Sequence, residues 1–164
     1  LLIPAGILIY MYYLNIETGD PLNFLNTVSI FGAQRSSSFV FLPQVFYRYV
    51  FKILPFIGYD YMPGVFVAYL EIITGTLFLV FSIIAFWKLR LSYSLYLALG
   101  YIIPTLSGSF SSLPRYVLVL FPAFILMTIY LSKLSKVWQI TIFIILFAGL
   151  GLATMLFVRG YWIS

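Results

Sequence analysis

Long apolar runs separated by short polar breaks make up most of this chain, and the runs have the length of membrane crossings. A helix that crosses a bilayer needs about 20 largely apolar residues. Residues 62–87, 91–106, 113–132 and 137–158 fit that pattern, and residues 1–14 form a shorter apolar stretch read as a partial span. Glu71 is the only charge in the first full run, Arg115 the only one in the third, and the second and fourth carry none. The pattern predicts an all-α, polytopic transmembrane helix bundle, one membrane domain over 1–164. No repeat of fixed period, low-complexity tract or second domain interrupts it.

The polar breaks give the bundle an orientation. Lys88-Leu89-Arg90 and Lys133-Leu134-Ser135-Lys136 hold four of the nine basic residues in two very short connections. Short loops rich in Lys and Arg stay in the cytoplasm. The opposite side then receives the loop 15–61, the turn 107–112 and the C-terminal end, with Arg35, Arg48, Lys52, Arg115 and Arg159 spread over far more chain. Arg159-Gly160-Tyr161-Trp162 places aromatics where a helix leaves the bilayer.

The loop 15–61 is too long for a simple turn and too rich in Phe, Tyr, Leu and Val for disorder. Thr18-Gly19-Asp20-Pro21 signals a turn, after which Asp20 or Pro21 opens a short helix through Asn26 or beyond. Over 41–57, Gln44, Arg48 and Lys52 recur every four residues, which aligns them in one narrow polar stripe on a helix. Two charges and two prolines argue against a span there, so the segment reads as an interfacial amphipathic helix on the outer side.

Composition agrees with the pattern. Hydrophobic residues are 63% of the 164 and charged residues 8%, against roughly 45–50% and about 25% in soluble domains. A chain this short cannot hide so much apolar surface from water. The net charge of +5 is too sparse for a nucleic-acid surface. With no Cys and no His there is no thiolate nucleophile, imidazole base or zinc site of the usual kind. Glu17, Asp20, Asp60 and Glu71 are the only carboxylates. The chain begins at Leu1 inside an apolar run, without an initiator Met or the features of a signal peptide, and reads as a piece of a longer polytopic protein.

Candidate chemistry concentrates in Ser107-Gly108-Ser109-Phe110-Ser111-Ser112-Leu113-Pro114-Arg115-Tyr116. Ser111 or Ser112 suits an N-cap, and Pro114 suits a first helical turn. Free backbone N–H groups, Ser hydroxyls and Arg115 then converge at a helix N-terminus, an arrangement suited to a lipid phosphate. The alternative is ordinary capping, with Arg115 snorkelling to headgroups. Glu71 lies inside a span, where a carboxylate marks either a buried hydrogen-bonding group or a polar cavity. Thr74 and Gly75, one turn away, suggest a helix–helix contact at that level. Asp20, Glu17 or Asp60 could act as a general base, although Asp20 also reads as a turn residue and Asp60 as a helix-start residue. Gln34, Arg35 and the serines 36–38 form a polar patch able to touch a phosphate or sugar, and outer tyrosines (Tyr47, Tyr59, Tyr61) could stack on sugar rings.

Ser111-Ser112-Leu113-Pro114-Arg115-Tyr116, followed by Val117-Leu118-Val119-Leu120-Phe121-Pro122, resembles the Ser-x-Pro-Arg-Tyr segment of PIG-V-type mannosyltransferases, which add the second mannose in GPI-anchor synthesis, and of their prokaryotic relatives. Thr18-Gly19-Asp20-Pro21 with Phe24 and Leu25 is similar to a Gly-Asp-Pro segment of such relatives, and Arg159-Gly160-Tyr161-Trp162 is similar to their C-terminal ending. The resemblance implies the C-terminal half of a GT-C type integral-membrane glycosyltransferase. Such an enzyme takes a sugar from a polyprenyl-phosphate donor on the outer or luminal face and passes it to a lipid or glycan acceptor. It implies membrane lipid as a partner, no nucleic acid and no cofactor, with a divalent metal still compatible. A prokaryotic cell membrane is favoured over the endoplasmic reticulum. The resemblance places the catalytic acid upstream of Leu1, leaving Asp20 as the candidate within the chain, and implies that this piece is inactive alone. Arg115, Ser111, Ser112 and Tyr116 become candidates for holding the lipid phosphate, and Gln34, Arg35 and Arg48 for a substrate loop. The competing reading is a polytopic transporter or lipid flippase segment with Glu71 as its functional carboxylate.

Overall fold

The computed structural model describes residues 2–27, 40–161 and 163, which form helices joined by turns, without a strand among them. Helix α1 is Leu2–Thr18 and α2 is Asn23–Asn26. Helix α3, Leu42–Arg48, continues through a π-helical turn, Tyr49–Ile53, and a 3₁₀ turn, Leu54–Phe56. Helices α4 (Met62–Lys88), α5 (Leu91–Thr105), α6 (Leu113–Tyr116), α7 (Phe121–Leu131) and α8 (Lys136–Val158) follow.

Helix α4 forms the spine. Its buried positions, Ala68, Glu71, Gly75, Phe78, Ser82 and Ala85, step by three or four residues along one face, the spacing that keeps a stripe turned toward neighbouring helices. A two-residue connection, Leu89 and Arg90, returns the chain as α5, so the two helices are antiparallel neighbours. The register is pinned at two levels. The Ser94 hydroxyl donates to the Ala85 carbonyl at 2.8 Å, and the Tyr101 hydroxyl donates to the Gly75 carbonyl at 2.8 Å. Helices α6 and α7 pack on this pair, with Phe78 and Phe124 edge to face at 6.2 Å between ring centres. The buried core gathers Val45, Tyr49, Phe78, Leu97, Tyr101, Phe110, Leu113 and Leu126.

Two helices, Met62–Lys88 and Lys136–Val158, are long and apolar enough to cross a membrane. The run 113–132, expected as one span, is bent by 84° between Leu113–Val119 and Phe121–Leu131, making either a broken span or a re-entrant loop. Pro122 explains the break: it has no N–H for the carbonyl four residues back, and its ring crowds that carbonyl. Leu120 leaves helical geometry at φ −83°, ψ 65°. Helix α5 has 15 residues, about 22 Å at 1.5 Å per residue, short of a hydrocarbon core of about 30 Å. Pro104 lies one residue before its end.

The loop boundary also moves. Helix α1 runs to Thr18, where the sequence pattern predicts the loop from residue 15. Nothing in Asn15-Ile16-Glu17 breaks a helix, and the Thr18 hydroxyl bonds back to the Leu14 carbonyl at 2.8 Å. Gly19, at φ +74°, supplies the left-handed stop. Helix α8 has no buried residue. The Tyr161 ring beyond its end meets Tyr61 at 6.1 Å, which puts the end of α8 at the same level as the start of α4.

Candidate functional site

The end of the α4–α5 pair away from the Leu89-Arg90 turn gathers three pieces of chain: the helix 42–56, the upper part of α4, and the loop 107–112. Val40 ties the first to the pair, its N–H donating to the Leu106 carbonyl at 3.0 Å. Tyr49 is the joint. It is 1% exposed, and its hydroxyl donates to Glu71 Oε2 at 2.8 Å. The Tyr49 hydroxyl oxygen also accepts the Phe110 N–H at 3.2 Å and lies 3.3 Å from Ser109 Oγ. Ser109 Oγ in turn accepts the Ser111 N–H at 2.9 Å. Burial pushes the Tyr49 phenol well above the usual tyrosine range, and the nearby Glu71 pushes it further.

Phe110 locks the joint from the apolar side. It is fully buried, with its ring 4.9 Å from both Phe46 and Tyr49. Gly75 makes room for it, since a Cβ there would stand 3.1 Å from the ring. The small residue at this level of α4 therefore receives a loop aromatic as well as the α5 tyrosine. Glu71 is 5% exposed and hydrogen-bonded within this cluster.

Beside the joint, Gln44, Arg48 and Lys52 line a cleft of about 200 Å³ with Val40, Tyr47 and Gly108. The four-residue stripe of the sequence is thus one side of a cavity. The π turn after Arg48 contributes, because a wider turn reduces the drift that four α-helical steps accumulate. Arg48 Nη1 reaches the Gly108 carbonyl at 3.4 Å. Gly108 stands at φ +80°, and a Cβ there would lie 2.9 Å from Val40, so only glycine closes the loop this tightly. Aromatics of the same helix, Phe41, Tyr47, Phe51 and Phe56, are exposed.

Ser112 precedes α6 in the N-cap position, with Pro114 in the first turn, but its side chain makes no cap hydrogen bond. Its φ of +66° is left-handed, outside the extended range in which an N-cap side chain reaches back to the helix. The Ser112 hydroxyl, 3% exposed, instead accepts a bond from Arg115 Nη2 at 2.7 Å. Helix α6 has four residues, too few for aligned peptide dipoles to build an anion site at its start. What the segment offers is an oriented guanidinium, with Arg115 and Tyr116 exposed and Ser111 half-buried.

The remaining candidates lie apart. Asp20 is engaged in its own turn: Oδ1 accepts the Leu22 N–H at 2.9 Å and Oδ2 accepts Asn26 Nδ2 at 2.6 Å. Glu17 is exposed on α1, and Asp60 is exposed two residues before α4. Gln34, Arg35, the serines 36–38 and Trp162 fall outside the described residues. Among the described residues no three acidic side chains gather as a metal-holding group. The sequence does not single out Tyr49, and it marks Gly108 and Ser109 only as members of the segment 107–116. Tyr49 is one of 14 tyrosines, and no spacing relative to Glu71 announces that the two meet. Searches of protein-family models, curated proteins and solved structures return no match to this chain.

Proposed function

We propose that the chain is part of a PIG-V-like, GT-C type membrane glycosyltransferase, most simply a mannosyltransferase of a prokaryotic cell membrane. It moves a sugar from a polyprenyl-phosphate donor on the outer face to a lipid or glycan acceptor. Two membrane-length helices and the sequence resemblance support this reading, and one contact carries it. The Ser112 hydroxyl holds the exposed Arg115 guanidinium at 2.7 Å within the Pro-Arg-Tyr segment. A guanidinium fixed in advance suits a phosphate geometrically. As the sugar leaves, negative charge grows on the donor phosphate, and a cation already in place stabilises that charge without reorganising.

The test is transfer of radiolabelled mannose from polyprenyl-phosphate mannose by membranes carrying the full-length protein of which this chain is proposed to be a part. Arg115→Ala is expected to lower kcat/KM by about 100-fold, in line with losing one preorganised charge-stabilising group. Arg115→Lys keeps the charge, loses the fork, and falls between. Unchanged turnover in Arg115→Ala sinks the role given to Arg115. Absence of transfer from every polyprenyl-phosphate sugar tried with the unaltered full-length enzyme sinks the enzyme reading.

A further inference from the structure

We propose that the cleft lined by Gln44, Arg48, Lys52 and Gly108 is a binding site for a phosphate group presented at the membrane surface. The site is distinct from Arg115, and the inference does not rest on sugar transfer. Its chemistry follows from the side chains that line it. Two cations and one amide enter from successive turns of one helix, and no acidic residue is among the described residues that line the cleft. Arg48 is set into the side of the cleft by its reach to the Gly108 carbonyl. Lys52, exposed at the next turn, adds a compact ammonium that can follow a tetrahedral anion. Gln44 adds amide N–H donors. The cleft of about 200 Å³ equals the share of roughly seven liquid waters at ~30 Å³ each, room for a phosphate that keeps part of its hydration.

The place on the molecule indicates where such a phosphate comes from. Phe41, Phe51 and Phe56 are 77%, 60% and 82% exposed on the same helix that carries the cationic stripe. Exposed aromatic rings beside cations on one helix suit a place among the lipid headgroups, where the rings enter the acyl boundary and the cations meet phosphate. Its C-terminal turn ends six residues before α4, one of the two membrane-length helices. The cleft therefore opens at the depth where lipid phosphates are concentrated. Gly108 sets its shape, because any side chain there drives into Val40.

The experiment titrates the purified chain in non-ionic detergent, at low ionic strength, by calorimetry. The probes are dihexanoyl phosphatidylglycerol and inorganic phosphate, with zwitterionic dihexanoyl phosphatidylcholine as control. Saturable binding of phosphatidylglycerol is expected, at least tenfold tighter than phosphatidylcholine and weakened by added salt. Lys52→Gln is expected to weaken it about tenfold, the effect of one hydrogen bond to a charged group. Lys52 is exposed, so its replacement leaves the melting temperature within a degree or two. Arg48→Lys retains part of the affinity, whereas Arg48→Gln does not. Parallel binding of inorganic phosphate, lost in the same variants, makes this a phosphate site that is also filled from solution. Binding of phosphatidylglycerol alone makes it a headgroup site. Absence of saturable binding for both probes overturns the proposal, as does undiminished affinity in a folded Lys52→Gln, Arg48→Gln double variant.

Discussion

Replacing Tyr49 by Phe removes one oxygen atom from the centre of the molecule. That oxygen donates to Glu71 and accepts from the Phe110 backbone N–H. The ring stays and so does its contact with Phe110, so the substitution deletes polar partners with little change of volume. A buried donor or acceptor that loses its partner costs about 1–3 kcal/mol. Three are affected here, Glu71 Oε2 at 2.8 Å, the Phe110 N–H at 3.2 Å and Ser109 Oγ at 3.3 Å. The two longer contacts, and the other bonds Glu71 and Ser109 keep, argue for the low end of each range, giving a total of about 3 kcal/mol. Tyr101→Phe is the internal control. It removes a single bond, to the Gly75 carbonyl at 2.8 Å, and that carbonyl lies in the middle of α4, where helical bonding satisfies it. Interhelical side-chain bonds of this kind average about 0.6 kcal/mol. In a chain of this size 1 kcal/mol moves a melting midpoint by about 2–4 °C. Thermal melting in detergent, read by tryptophan fluorescence, should therefore place Tyr49→Phe roughly 6–12 °C below the unaltered protein and Tyr101→Phe within about 3 °C of it. Equal shifts in the two variants would refute the view that Tyr49 is the joint between the 42–56 helix, α4 and the 107–112 loop.

Further predictions follow from the same geometry. The folded protein holds the Tyr49 proton more tightly than the unfolded chain does, because burial and Glu71 raise its pKa. Its contribution to stability is then complete below about pH 10, the unfolded tyrosine value, and declines as the pH rises beyond it. Tyr49→Phe should flatten part of that alkaline decline in melting-versus-pH curves. Gly75→Ala pushes a methyl to 3.1 Å from the fully buried Phe110 ring and should cost about 1–3 kcal/mol by overpacking. Gly149→Ala on α8 meets nothing within 4 Å and should be neutral or stabilising by up to about 1 kcal/mol in the same melt. Ser112→Gly and Ser112→Ala both remove the hydroxyl that Arg115 bonds, but only glycine relieves the +66° backbone. Ser112→Gly should therefore be the more stable of the two by about 1 kcal/mol, while both lower transferase turnover.

Hydrophobic run length alone determined where α4 and α8 lie, because lipid demands an uninterrupted apolar helix and tolerates little else. The stripe Gln44, Arg48, Lys52 was legible for the same kind of reason: a period of four is a local property of one helix. Local chemistry also announced the turn at Thr18-Gly19-Asp20-Pro21, with Asp20 as a turn residue. Tertiary structure decided the rest. The apolar run 113–132 carries Pro122, yet run length cannot say whether a proline kinks a span or folds it back by 84°. In the folded chain Leu120, at the break, packs against Gly100 of α5. Ser112 has the residue type of a cap, but the backbone placed it in left-handed geometry and gave its hydroxyl to Arg115. Glu71 could be marked from sequence as costly in a membrane. Only the packed molecule shows Tyr49, 22 positions earlier, and Phe110, far later, arriving at the same point. Partners brought together by packing leave no periodic trace in the chain, and the cleft beside them exists because the loop carrying Gly108 closes over a helix whose Arg48 lies 60 positions earlier in the chain.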